Sequence, residues 1–214
     1  MLDEFSVIIF DLDGTLIDSM SVWEDIDIRW LTAYGITPTK ELLNRFKSMD
    51  YDEAAAFTNH VLHIDETPDM LKAMWTDMVY DAYAHNIQLK DGAAELLSSL
   101  KAKNKRLLLA TSCEERCCRA VLSHTDIARY FEKIFYTQAI GQSKAHPALY
   151  EKCAAYAKVD KKSCVVLDDI YSALIGAHKA GMAFIGVYDA VSAANWPIMQ
   201  RDAQACITTL KELL

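Results

Sequence analysis

No apolar run in this chain approaches the length needed to cross a bilayer, no cluster of Lys and Arg stands out, and no C-x-x-C pair occurs. The first absence argues against a membrane span. The second, with 22 basic side chains against 30 acidic ones and a formal charge of −8, argues against nucleic acid as a partner. The third removes the usual zinc spacing, so the six cysteines, Cys113, Cys117, Cys118, Cys153, Cys164 and Cys206, are expected as reduced thiols of a core. Internal repeats and low-complexity tracts are also missing, and Met1-Leu2-Asp3-Glu4 is acidic where a signal peptide is basic. A cytoplasmic protein is expected. What is present is apolar bulk: 52% of the 214 residues are hydrophobic, enough for one domain with an insertion or for two small ones.

Residues 7–19 read V-I-I-F-D-L-D-G-T-L-I-D-S. An apolar strand here stops on two aspartates spaced by one residue. Side chains alternate along an extended segment, so Asp11 and Asp13 leave on one side while Leu12 turns to the core. Gly14 permits a sharp exit. Like charges brought this close raise a pKa and attract a cation. An EF-hand calcium loop would need its glycine sixth and a glutamate twelfth, whereas Gly14 is fourth and Val22 is twelfth.

From about residue 88 onward, strand-like runs alternate with helical patterns, the signature of a parallel sheet covered on both faces. The strands read are Val7 to Phe10, Arg106 to Ala110, Ile134 to Tyr136, Cys164 to Leu167 and Ala183 to Val187. Helices are expected near Gly92 to Lys103, Glu114 to His124, Pro147 to Lys158 and Ser172 to Ala180, the last closed by Gly181. Right-handed crossovers place all strand C-termini on one edge. The stretch 17–87 breaks the alternation and reads as wholly helical. Trp23, Ile26, Trp30 and Tyr34 recur at helical spacing after a cap at Asp18 or Ser19, and Thr67-Pro68 opens another helix with Leu71, Trp75, Met78 and Ala82 on one stripe. The expected organisation is a Rossmann-like α/β core of 1–16 and 88–214, with an all-helical insertion at 17–87 hinged near Thr15 to Asp18 and Asn86 to Gly92.

Three further segments place polar groups at the same edge: Thr111 and Ser112 after Leu107 to Ala110, Lys144 ahead of the helix opened near Pro147, and Asp168-Asp169 after Cys164 to Leu167. Hydroxyls and amides at a helix start can hold an anion. Two unit charges about 4 Å apart at an effective dielectric near 20 repel by roughly 4 kcal/mol, so four carboxylates at one edge call for a cation. An all-oxygen set around one compact charge suits Mg²⁺. Cys113 to Arg119 also matches C-x5-R, the cysteine-phosphatase loop, but Glu114 and Glu115 would repel the phosphate and no glycine frees the backbone.

The order D-L-D-G-T-L, then T-S, then a lysine, then D-D resembles the haloacid dehalogenase superfamily, and within it the phosphatases related to β-phosphoglucomutase. The resemblance spans nearly the whole chain. It implies Asp11 as nucleophile and Asp13 as general acid and base. It further implies Thr111, Ser112 and Lys144 as phosphate anchors, and Asp11, Asp13, Asp168 and Asp169 as the magnesium site, with Asp169 the better match to the direct ligand. The helical insertion becomes a cap whose Trp23 is a substrate-facing candidate. The function implied is Mg²⁺-dependent hydrolysis of a small phosphorylated metabolite through an aspartyl-phosphate.

Two alternatives stay open. A sugar phosphomutase shares the phosphate site, but its cap histidine is replaced by Trp23, and its G-x-S-R segment by Ser48-Met49-Asp50-Tyr51. A non-catalytic module could use Mg²⁺ and phosphate for recognition alone. Dehalogenases lack the second aspartate, so Asp13 argues against that chemistry. Ala145, Gln142, Ser143 and Ala173 depart from the family pattern in ways that touch loop shape.

Overall fold

The computed structural model describes residues 1–47, 49 and 51–214; Ser48 and Asp50, part of the segment weighed against the mutases, lie outside them. After β1 (Val7–Phe10) come four helices, α1 (Val22–Ala33), α2 (Lys40–Lys47), α3 (Tyr51–Val61) and α4 (Pro68–His85). The chain continues through α5 (Ala93–Ala102), β2 (Arg106–Thr111), α6 (Glu115–His124), β3 (Lys133–Tyr136), α7 (Thr137–Ile140) and α8 (Ala148–Ala157). It ends with β4 (Cys164–Asp168), α9 (Tyr171–Ala180), β5 (Ala183–Val187), α10 (Trp196–Asp202) and β6 (Ala205–Ile207). Two compact units result, Met1–Met20 with Ile87–Leu214, and Ser21–Asn86. Among the described residues no helix is long and apolar enough to cross a membrane.

The first unit is a parallel six-stranded sheet in the order β3-β2-β1-β4-β5-β6. All four residues of β1 are fully buried, as a strand covered on both faces requires. Val7 and Ile9 join Leu108, Ala110, Cys164, Val166 and Phe184 in a core closed by Leu149, Cys153 and Ala157 of α8 and Leu174 and Ala177 of α9. Alternation sends Ile8 and Phe10 to the opposite face, where Phe10 meets Phe131 edge-on with ring centroids 6.3 Å apart. The sequence reading finds five of these strands; the sixth, β6, has only three residues, two of them half-buried, and leaves no apolar run to detect.

Among the described residues of the second unit the regular elements are the helices α1 to α4. Trp30, 1% exposed, packs against Phe46 and Trp75 with ring centroids 5.4 and 5.5 Å apart. Thr67 caps α4 by accepting a hydrogen bond from Met70 N at 3.3 Å, with Pro68 in the first turn. The buried stripe of α4 is Leu71, Trp75, Val79, Ala82 and Tyr83, with Met78 half-buried. On α1 the buried face is Val22, Ile26, Trp30 and Leu31, while Trp23 and Tyr34 are 44% and 40% exposed, contrary to the stripe expected from spacing.

One local expectation is corrected. Ser21, not Asp18 or Ser19, occupies the cap position of α1, and no side chain caps it. Within the stretch Thr15 to Asp18, expected as one hinge, Thr15, Leu16 and Ile17 are buried, Ile17 bridges both Asp13 and Leu89, and Lys90 N donates to Leu16 O at 2.9 Å.

Candidate active site

Phe10 is in register with Leu109 of β2 and Leu167 of β4, so the residues just beyond these strands converge on one edge. Asp11 N donates to Leu167 O at 2.9 Å, extending the ladder by one step. Asp11 follows Val7 and Ile9 in parity and leaves the strand on the side covered by α8, where the Lys144 segment lies. Lys144 Nζ stands 2.5 Å from Asp11 Oδ1 and 2.8 Å from Asp168 Oδ2. Carboxylate oxygens of Asp11, Asp168 and Asp169 lie within 4.8 Å of one another, and all three residues are buried.

Close approach of main chain makes this possible. A Cβ on Gly176 of α9 would lie 1.9 Å from the carbonyl oxygen of Lys144, so only glycine lets the lysine segment sit against that helix. Gly14 adopts φ +77°, and a Cβ there would lie 2.8 Å from Asp169 Cγ. Lys90 Nζ grips the same turn, donating to Gly14 O at 2.5 Å, Asp189 Oδ2 at 2.7 Å and Tyr188 O at 3.2 Å. Asp169 accepts from Ser192 Oγ at 2.7 Å and from Thr15 Oγ1 at 3.4 Å, and Asp168 Oδ1 accepts from Ile170 N at 3.0 Å.

The charge of Asp13 acts on Asp11. Ser19 Oγ donates to Asp13 Oδ1 at 2.7 Å. Thr111 is fully buried, and its Oγ1 accepts from Cys113 N at 2.9 Å, fixing the turn after β2. Ser112 is exposed beside it. Trp23 belongs to the helical unit.

Burial is the largest influence on Asp11 and raises its pKa well above the usual carboxylate value; Lys144 opposes this, while Asp168, Asp169 and Asp13 reinforce it. Burial likewise pushes Asp169 up to about 6, with Asp168 adding and Ser192 and Lys144 opposing. For Lys144 burial works downward, but Asp11 and Asp168 outweigh it, so the ammonium is retained. Three buried carboxylates thus face one ammonium, leaving two negative charges without compensation. A divalent cation preferring oxygen donors matches that deficit in charge and donor type, so the residues present fit Mg²⁺.

All six cysteines are free thiols. Burial, aided by Asp13, raises the Cys113 thiol far above its ordinary value, so it is no thiolate nucleophile. Arg119 pairs instead with Glu115 at 2.6 Å, which disposes of the C-x5-R reading.

Several residues of the site escape the sequence reading. Asp189 follows the apolar strand β5 by two residues, the same signal that marks Asp168 and Asp169, and was open to detection. Lys90, Thr15, Ser19, Cys113 and Ser192 contribute single hydrogen-bonding groups from loops, which carry no pattern of their own.

The family model described as haloacid dehalogenase-like hydrolase matches residues 8–187. A phosphorylated carbohydrates phosphatase from Thermotoga maritima is 25% identical over 188 residues, covering 88% of this chain and 86% of the relative. Hexitol phosphatase B from Escherichia coli is 28% identical over 203 residues, with the same coverages of 88% and 86%. Among solved structures, a candidate beta-phosphoglucomutase from Thermotoga maritima superposes with a TM-score of 0.86 at 23% identity, over 98% of this chain and all of the other, which establishes likeness of fold.

Proposed function

Because this chain belongs to the haloacid dehalogenase-like hydrolase family, we propose that it is a Mg²⁺-dependent phosphatase acting on a small phosphorylated sugar or polyol through an aspartyl-phosphate. The observation that carries this reading is the buried cluster of Asp11, Lys144, Asp168 and Asp169 at the sheet edge. The names of the two relatives, one acting on phosphorylated carbohydrates and one on hexitol phosphates, support the substrate class.

Asp11 attacks phosphorus, and the bond from phosphorus to the leaving oxygen breaks. Asp13 hands its proton to that oxygen, which spares the departure of a free alkoxide. Asp13, now ionised, takes a proton from the water that hydrolyses the acyl phosphate, restoring both aspartates. Lys144 offsets the repulsion between a carboxylate and a phosphate dianion and fixes the direction of Asp11. Thr111 and the Ser112 segment bind phosphate oxygens. Asp11, Asp168 and Asp169, with the adjoining Asp13 segment, would hold Mg²⁺, which supplies further positive charge against the phosphate when bound. The helical unit takes the role of a cap, and Trp23 that of a residue selecting the substrate.

The test is release of inorganic phosphate from 4-nitrophenyl phosphate and from a panel of sugar and polyol phosphates, with and without Mg²⁺. Release is expected only with the metal, and Asp11→Asn is expected to abolish it while leaving the circular dichroism spectrum intact. Undiminished release by that variant overturns the mechanism. Conversion of a sugar 1-phosphate to its 6-phosphate, without hydrolysis, overturns the choice of phosphatase over mutase.

A further inference from the structure

We propose that Lys90 is a positioning residue for the metal site: acting through Asp189 and Ser192, it holds the Asp169 carboxylate in the orientation that receives Mg²⁺. This deepens the phosphatase reading and rests on it. An ammonium has three protons to donate, and that of Lys90 meets three acceptors: Gly14 O at 2.5 Å, Asp189 Oδ2 at 2.7 Å and Tyr188 O at 3.2 Å. No donor is left over for a phosphate, so this lysine serves the protein and not the substrate. Its side chain is 18% exposed and that of Asp189 only 7%, so removing either partner strands a charge away from bulk water.

From Lys90 to Asp169 the contacts are continuous. Asp189 divides its carboxylate: Oδ2 receives Lys90, while Oδ1 accepts from Val191 N at 2.9 Å and fixes the turn that follows β5. Ser192, the next residue, donates from Oγ to Asp169 Oδ2 at 2.7 Å. The other oxygen of Asp169 accepts from Thr15 Oγ1 at 3.4 Å, and Thr15 follows Gly14, whose carbonyl Lys90 also holds. One ammonium thus joins the two segments whose hydroxyls meet the two oxygens of Asp169. Lys90 is itself anchored by main chain, with its N donating to Leu16 O at 2.9 Å beside the Ile17–Leu89 bridge. Hydrogen bonds of this kind orient a metal-binding carboxylate, and their loss weakens the metal. Charge alone predicts the reverse, because removing Lys90 adds one net negative charge close to the acidic cluster and would tighten a dication. The sign of the change therefore separates positioning from electrostatics.

The experiment titrates Mg²⁺ into the metal-free protein by isothermal calorimetry, without substrate. Lys90→Met is expected to raise the Kd for Mg²⁺ by roughly tenfold, and Ser192→Ala to raise it by roughly three- to tenfold. The double variant is expected to lose clearly less than the product of the two factors, since both changes interrupt one chain of contacts. Should Lys90→Met fail to fold with Asp189 stranded, the pair Lys90→Met/Asp189→Asn takes its place in both arms; it leaves the net charge unaltered, so charge alone predicts no change in Kd. A Kd that is unchanged or tighter without Lys90, or factors that simply multiply in combination with Ser192→Ala, overturns the inference and leaves the phosphatase reading standing. Neither heat of binding nor a rise in melting temperature with Mg²⁺ in the unaltered protein overturns the metal-dependent reading as well.

Discussion

A methyl group placed on Gly14 would lie 2.8 Å from the carboxylate carbon of Asp169, although the two residues stand 155 positions apart in the chain. The turn that releases the chain from β1 and the acidic pair that follows β4 thus occupy one small volume, and the bare backbone at Gly14 is what lets them do so.

Gly14→Ala meets both this clash and the strain of φ +77° for a residue with a Cβ, a combined cost of more than about 1 kcal/mol. The sheet is expected to fold, since the change falls outside β1, while phosphatase activity is lost. The rise in melting temperature on adding Mg²⁺ should vanish as well. A variant that still gains thermal stability from the metal contradicts the account.

Lys144→Met removes the one ammonium among three buried carboxylates. Leaving Asp11 and Asp168 buried and unpaired should destabilise the metal-free protein by about 3–5 kcal/mol, read from urea unfolding. Mg²⁺ should recover part of that loss, because it offsets the same charges. Stability equal to that of the unaltered protein in EDTA would show that the pair carries no such burden.

Asp13→Asn separates the two halves of the reaction. With 4-nitrophenyl phosphate, whose leaving group needs no proton, the variant should still release about one nitrophenolate per active site and then stall for lack of a base. With an alkyl phosphate even the first turnover should slow by roughly 10²- to 10⁴-fold. Equal slowing of the first turnover for both esters contradicts the acid role.

The pH dependence of metal binding follows from Asp169. Its pKa in the fold is raised to about 6 by burial first and Asp168 second. A raised carboxyl binds its proton more tightly folded than unfolded, so its contribution favours the fold below the ordinary value near 4 and is lost as pH climbs through about 6. Metal must compete with that proton at low pH and relieves the ionised carboxylate at high pH. The increase in melting temperature caused by Mg²⁺ should therefore be small at pH 5, grow through pH 6 and level off above pH 7. An increment unchanged from pH 5 to pH 8 sinks the prediction.

The strands that carry the chemistry are legible because each is an unbroken apolar run that stops on a polar residue: Val7 to Phe10 on Asp11, Leu107 to Ala110 on Thr111, Cys164 to Leu167 on Asp168. Periodicity in the helical unit is less decisive. Ile26 and Trp30 belong to two overlapping stripes, one completed by Val22 and the other by Trp23 and Tyr34, and only packing chooses between them. Ser19 reads equally as a helix cap and as a ligand for Asp13, and its hydroxyl went to the carboxylate. Lys90 illustrates the limit: one lysine in a loop looks like any solvated cation until Gly14, Tyr188 and Asp189 are brought around its ammonium.

The sheet order also bears on how the protein is made. β1 is translated first but pairs with β4 from Val7↔Cys164 to Phe10↔Leu167, partners that emerge from the ribosome only after most of the chain has been synthesised. Until then one margin of β1 remains an open template for other chains, and such distant pairing is slow to form. A prematurely terminated product would carry Asp11 on an unprotected, adhesive strand, so it would be both inert and prone to aggregate.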